Sequence, residues 1–204
     1  MSFAQPLRED EVDADPHRQF RAWFEEARES GEREPEAAAV ATATPDAVPS
    51  VRMVLVKGFG PDGFVFYTNY ESRKGQELAA NPRAALMFHW DRLGRSVRIE
   101  GPVSRLPAEE SAAYVRSRAR GSQLSALASP QSRVIADRAV LEHRVAELAG
   151  AHADGDLPVP AHWGGFRLQP TSIEFWQHRE DRLHDRLRYT PADGGGWTIE
   201  RLAP

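Results

Sequence analysis

The chain has 204 residues, within reach of one domain with a complete core, and its 41% hydrophobic and 27% charged residues are those of a globular protein rather than a disordered one. Its formal net charge of −4, with no run of Lys and Arg set apart from neighbouring acids, excludes the electrostatic footprint of a nucleic-acid binder, and the lack of cysteine excludes disulfides, thiolate metal sites and a cysteine nucleophile. No apolar run approaches the ~20 residues of a membrane span, and the polar start MSFAQPLRED does not read as a signal peptide, so a cytoplasmic protein is expected.

Residues 1–14 are acidic and lack periodicity, which reads as a flexible arm able to order over a ligand or partner, followed by a single domain over 15–204. Asp15 and Pro16 supply an N-cap and a first-turn proline, and Phe20, Trp23, Phe24 and Ala27 recur at helical spacing before Gly31. Apolar, β-branched segments at 37–44, 49–57 and 63–69 predict an antiparallel meander, with Pro61, Asp62 and Gly63 as turn residues. Ser72 caps a short helix through Ala80, closed by Asn81 and Pro82, and strands at 84–90 and 96–105 follow. Pro107 to Glu110 starts a helix carrying Tyr114 and Arg118; another over 137–149 gathers Val140, Leu141, Arg144, Val145 and Leu148 near one face. After a proline-rich loop at 154–160 come strands at 165–176, 183–189 and 196–202. Six or seven strands interrupted by short helices, without regular β-helix-β alternation, predict a mainly β, α+β chain: an antiparallel barrel with helices packed outside.

Four groups of residues carry possible chemistry. In the strand from Val51 to Lys57, alternation puts Arg52 with Val54 and Val56 on one face and Lys57 with Val51, Met53 and Leu55 on the other. A charge there is costly unless paired, so both cations reach solvent at strand ends or meet an anionic ligand. Tyr67 and Thr68 leave a strand just before Ser72, Arg73 and Lys74 open a helix, which aims backbone N–H groups and two cations at one spot suited to a phosphate. Tyr114 and Arg118 lie one helical turn apart with Ser122 just beyond, either converging on a phosphate or forming a solvated face. Finally, Trp176 precedes Arg182, His184 and Arg186, which strand alternation sends to one side, where an anionic ligand or Glu180 and Asp185 would relieve their repulsion. The remaining histidines show no ligand spacing, so no metal site is expected.

The runs RMVLVKGF, GFVFYTNYESRKGQEL, NPRAALMFHW, VRIEG, SPQS, HWGGFRL, IEFWQ, RLHDR and WTIERLAP, in this order from about residue 15 onward, together resemble the pyridoxine/pyridoxamine 5'-phosphate oxidase family. The resemblance implies an antiparallel FMN-binding split barrel whose homodimer interface holds FMN between residues of both subunits. It implies that Arg52, Tyr67, Thr68, Arg73, Lys74, Gln131, Ser132, Trp176 and Arg186 bind FMN. Lys57, Tyr114, Arg118 and Ser122 would grip the substrate phosphate, and Arg182 and His184 would lie against the pyridine ring as the catalytic pair. The implied reaction passes a hydride from the substrate C4' carbon to the flavin, which O2 reoxidises with release of hydrogen peroxide, giving pyridoxal 5'-phosphate.

Three departures from the family pattern bear on substrate more than on FMN. Ser96 stands where the family usually has a flavin-contacting glutamine, the stretch 117–127 lacks a usual proline and tryptophan, and residues 178–181 replace a segment usually containing glycine. Arg8 falls where the family has an arginine in an N-terminal arm. Two alternatives stay open: a related flavin oxidase of secondary metabolism, of the phenazine type, acting on an unphosphorylated substrate, and a non-catalytic binder of FMN or pyridoxal phosphate. Retention of the phosphate-gripping residues argues against the first, and the complete ring-contacting pair argues against the second.

Overall fold

A computed structural model describes residues 6–153 and 155–204. The Asp15 carboxylate accepts the His17 N–H at 2.9 Å and starts α1 (Pro16–Glu29), whose 3.6-residue stripe buries Phe20, Trp23 and Ala27. The Phe20 ring meets Phe59, Phe64 and Phe88 at 4.8, 5.0 and 4.9 Å, so the helix seats an aromatic plug in the main core. Then come β1 (Ala37–Ala43), β2 (Pro49–Gly60), β3 (Gly63–Asn69), α2 (Arg73–Ala80), β4 (Arg83–Trp90) and β5 (Arg95–Arg105). Helices α3 (Ala108–Ser117), α4 (Arg120–Ala128) and α5 (Ala139–Ala151) precede β6 (Trp163–Leu168), β7 (Ser172–Gln177), β8 (Asp185–Pro191) and β9 (Trp197–Arg201).

The strands run β1-β2-β3-β6-β5-β4 and return to β1, every pairing antiparallel, which closes a six-stranded barrel. β5 is where the barrel splits. Its start (95–100) carries β7, followed by β8 and β9, while its end (103–105) carries β6. The strand expected over 165–176 is therefore two strands, because the chain leaves the ring at Gln169 and Pro170 to reach the other end of β5; proline also lacks the N–H a ladder needs. Among the described residues nine strands form where periodicity counts six or seven. Helix α4 was not expected, and α3 stops at Ser117, so Arg118 is extended (φ −75°, ψ 152°) rather than one helical turn beyond Tyr114.

Alternation in β2 is as expected, with Val51, Met53, Leu55 and Lys57 outward and Arg52, Val54 and Val56 inward. Met53, 64% exposed, lies across from Ala39 of β1, which in turn lies across from Met87 of β4, so an apolar stripe crosses three strands on the outer face. Of the arm expected at 1–14, residues 1–5 lie outside the described residues. Leu7 is buried, its N–H donates to Asp185 Oδ2 at 3.1 Å, and Arg201 binds both Leu7 O and the Glu9 carboxylate at 2.7 Å. In the loop expected at 154–160, Asp154 also lies outside the described residues.

Candidate active site

Two clefts that share no residue gather most of the candidate side chains. The first, about 330 Å³, forms where β3 runs into α2. Ser72 accepts the Gly75 N–H at 3.3 Å and sets the helix start, and Tyr67 and Thr68 pair with Gly165 and Gly164 of β6. A Cβ at Gly164 would come within 2.2 Å of Tyr70 Oη, so any side chain there would push the Tyr70 ring aside. Lys74 Nζ donates to Thr68 Oγ1 at 2.8 Å and Gln131 Oε1 at 3.0 Å; burial, aided by the nearby charge of Arg52, brings this amine down to about 8.

Arg118 and Ser122 enter the same cleft from the end of α3 and the first turn of α4. The Arg118 guanidinium lies over the Trp163 ring at 4.6 Å, and its buried Nη1 has no hydrogen-bond partner. An unpartnered buried guanidinium N–H is costly, and an anion in the cleft would remove that cost. Tyr114 stands behind this wall, stacked on Tyr67 at 3.7 Å and 11°. Ser132, next to Gln131, is exposed and left-handed (φ 70°).

Arg52 and Arg73 converge on Glu77 of α2. Arg73 Nε meets Glu77 Oε1 at 2.8 Å, Arg52 Nη2 meets Oε2 at 3.4 Å, and Ser50 and Thr42 hydroxyls donate to the same Oε2. Burial alone would raise this carboxyl, but the hydrogen bonds and the Arg52 charge outweigh it and hold it at about 2. Lys57, on the opposite face of β2, pairs with Glu36 at 3.2 Å and lines neither cleft.

The second cleft, also about 330 Å³, lies over β5, β7 and β8 and holds Ser96, Trp176, His184 and Arg186. Trp176 and His184 are 4.6 Å apart. The Arg179 N–H donates to His184 Nδ1 at 3.1 Å, so the neutral imidazole carries its proton on Nε2. Arg186 makes a two-pronged contact with buried Glu174 at 2.8 and 3.1 Å. The shared strand face predicted for Arg182, His184 and Arg186 does not form. β8 begins only at Asp185, and Arg182 is exposed in a short 3-10 turn where it and Asp181 are both left-handed (φ 61° and 55°).

The donor set fits a flavin phosphate: three cations beside a helix N-terminus, with an orphaned guanidinium close by and an aromatic second cleft for a ring. Among the described residues no group of three or more His, Cys, Asp or Glu could hold a metal ion. Sequence reasoning passed over Glu77, Glu174, Trp163 and Met53. Glu77 alone left a trace, four residues after Arg73 on a helix.

Family models match nearly the whole chain, residues 18–151 to pyridoxamine 5'-phosphate oxidase and residues 163–204 to the pyridoxine 5'-phosphate oxidase C-terminal dimerisation region. A pyridoxine/pyridoxamine 5'-phosphate oxidase of Salinibacter ruber is 56% identical over 97% of this chain and 93% of its own, and that of Gluconobacter oxydans 54% over 95% and 96%. A chloroplastic enzyme of that name from Arabidopsis thaliana is 53% identical over 97% of this chain and 38% of its own greater length. Among solved structures, PhzG of Burkholderia lata, in complex with tetrahydrophenazine-1-carboxylic acid, superposes with a TM-score of 0.92 at 33% identity over all of both chains. A pyridoxamine 5'-phosphate oxidase-related, FMN-binding protein of Nostoc punctiforme shares the fold, with a TM-score of 0.72 at 18% identity over 93% of this chain and 97% of its own.

Proposed function

This chain belongs to the pyridoxine/pyridoxamine 5'-phosphate oxidase family, and from that premise we propose how its residues divide the work of the reaction. The activity is FMN-dependent oxidation of pyridoxamine or pyridoxine 5'-phosphate by O2 to pyridoxal 5'-phosphate and hydrogen peroxide, carried out by a homodimer. What bound FMN supplies is a hydride acceptor that O2 reoxidises.

Arg52, Arg73 and Lys74, with the α2 N-terminus, hold the flavin phosphate. Tyr67, Thr68, Gln131, Ser132, Trp176 and Arg186 hold the rest of the cofactor. Arg118 and Ser122 grip the substrate phosphate from the first cleft, Tyr114 backs them through Tyr67, and Lys57 joins the grip on leaving Glu36, while Arg182 and His184 orient the pyridine ring, His184 as a donor through Nε2–H. No side chain acts as a nucleophile. Sharing of each site between subunits is supported by the apolar stripe: Met53 lines the first cleft and Met87 the second, and the two lie across Ala39 from each other. A partner covering the stripe would bring the first cleft of one protomer to the second cleft of the other. We take 15–204 as one domain preceded by an arm, in a cytoplasmic protein; among the described residues no helix is long and apolar enough to cross a membrane.

The observation that carries the phosphate assignment is the buried, unpartnered Arg118 Nη1 in the cleft with Ser122. Arg118→Ala should cost about 2–4 kcal/mol of transition-state binding for pyridoxamine 5'-phosphate, roughly 30- to 1000-fold in kcat/KM. The assay follows aldehyde and peroxide together with flavin occupancy measured in each sample. Unphosphorylated pyridoxamine should be a poor substrate of the wild type and should lose little more, and equal losses on both substrates would overturn the assignment.

A further inference from the structure

We propose that Glu77 is the positioning residue of the flavin phosphate seat, fixing the Arg52 and Arg73 guanidinia so that Nε–H of Arg52, whose terminal nitrogens are spent on Val40, Thr42, Ser50 and Glu77, and the terminal N–H groups of Arg73 face the phosphate; this rests on the assignment of those two arginines to FMN. Glu77 is 5% exposed, and its two oxygens are divided between the arginines. Oε1 takes Arg73 Nε at 2.8 Å, and Oε2 takes Arg52 Nη2 at 3.4 Å together with the Ser50 hydroxyl at 2.5 Å and the Thr42 hydroxyl. The hydroxyls couple the same pair a second time, since Arg52 Nη1 donates to Thr42 Oγ1 at 2.5 Å and Nη2 to Ser50 Oγ. Arg73 is otherwise a largely exposed side chain, 58% accessible, on the first turn of α2. Left to itself, its long chain would sample many rotamers and lose that freedom only when the ligand arrives.

The carboxylate also sets the charge of the seat. Arg52, Arg73 and Lys74 against one Glu77 leave two net positive charges, the match for a phosphate dianion. Without Glu77, three cations would face one another around a seat already uncomfortable for Lys74, which Arg52 destabilises in its charged form.

The test uses the full-length apo dimer and two probes that differ only in the phosphate, FMN and riboflavin. Wild type should bind FMN at least ~100-fold tighter than riboflavin, as charge-assisted contacts to a dianion require. Glu77→Gln replaces one anchoring oxygen by an amide donor, which frees a guanidinium; the FMN-to-riboflavin affinity ratio should shrink ~10-fold or more while riboflavin affinity stays within ~2-fold. A ratio that is unchanged or larger overturns the proposal, as does a parallel loss of both ligands, which is what a merely structural role gives. Should Glu77→Gln not assemble, Thr42→Val keeps the carboxylate and removes the bridging hydroxyl. The ratio should then fall ~3-fold, and an unchanged ratio overturns the proposal. A wild type that does not prefer FMN would withdraw the phosphate seat itself, and the proposal with it.

Discussion

Lys74 shows how one side chain reports on the ligand it awaits. Burial first, and the Arg52 charge second, lower its amine to about 8 from an ordinary 10.5. A phosphate dianion bound beside it favours the charged form, so FMN binding above pH 8 takes up a proton. Affinity is then complete below about pH 8 and falls as the pH rises above it. The phosphate is already fully ionised there, its second pKa being about 6. Flavin titrations of the apo dimer should therefore show FMN affinity dropping by up to ~10-fold per pH unit above 8, and Lys74→Met should bind more weakly with a flat profile. A flat wild-type profile would remove Lys74 from the seat.

Among the elements, the turn between β7 and β8 holds the clearest stored strain. Asp181, the last residue of the stretch 178–181 that departs from the family pattern, and Arg182 after it are consecutive left-handed residues, and a side-chain-bearing residue in that conformation costs roughly 1 kcal/mol or more. Asp181→Gly should raise Tm by ~2–4 °C in a melt of the holoprotein, and a lowered Tm would mean that contacts of the Asp181 side chain outweigh the strain. That turn was illegible in the sequence because alternation alone ran β8 back through Arg182. The elements governed by local signals were legible: α1 by its cap and aromatic stripe, β1 to β5 by alternation and turn residues. The split of β6 from β7 was not, since it depends on which end of β5 each strand pairs with. Site residues in sequence clusters, Tyr67, Thr68 and Lys74 above all, lie together in one cleft, yet the role of Glu77 was hidden. Thr42 and Ser50 reach it only because the β1–β2 register sets them side by side.

For the whole molecule, the exposed stripe on β2, β1 and β4 is what makes the monomer incomplete. Val51 and Met53 are 68% and 64% exposed, an arrangement a soluble monomer rarely keeps over contiguous strands. Met53→Glu should convert the dimer to monomer in size-exclusion chromatography with light scattering, because a buried unpaired charge at an apolar contact costs several kcal/mol, about 3 or more. FMN occupancy should fall with it, each half-site having lost the other. A Met53→Glu monomer that still holds FMN tightly would refute the shared site.

The closed ring has a consequence for the order in which the protein can be made. Tyr67 of β3 pairs with Gly165 of β6, so β1 to β5 and α1 to α5 leave the ribosome before the strand that seals the barrel exists. Until then β3 presents a bare edge of N–H and C=O groups to its neighbours, the hazard that closure later abolishes. Such distant pairing also delays the folding step itself, because a long loop must close before any contact rewards it. The strand that opens the stretch matching a dimerisation region is thus the one whose late arrival leaves the nascent chain longest exposed to wrong partners.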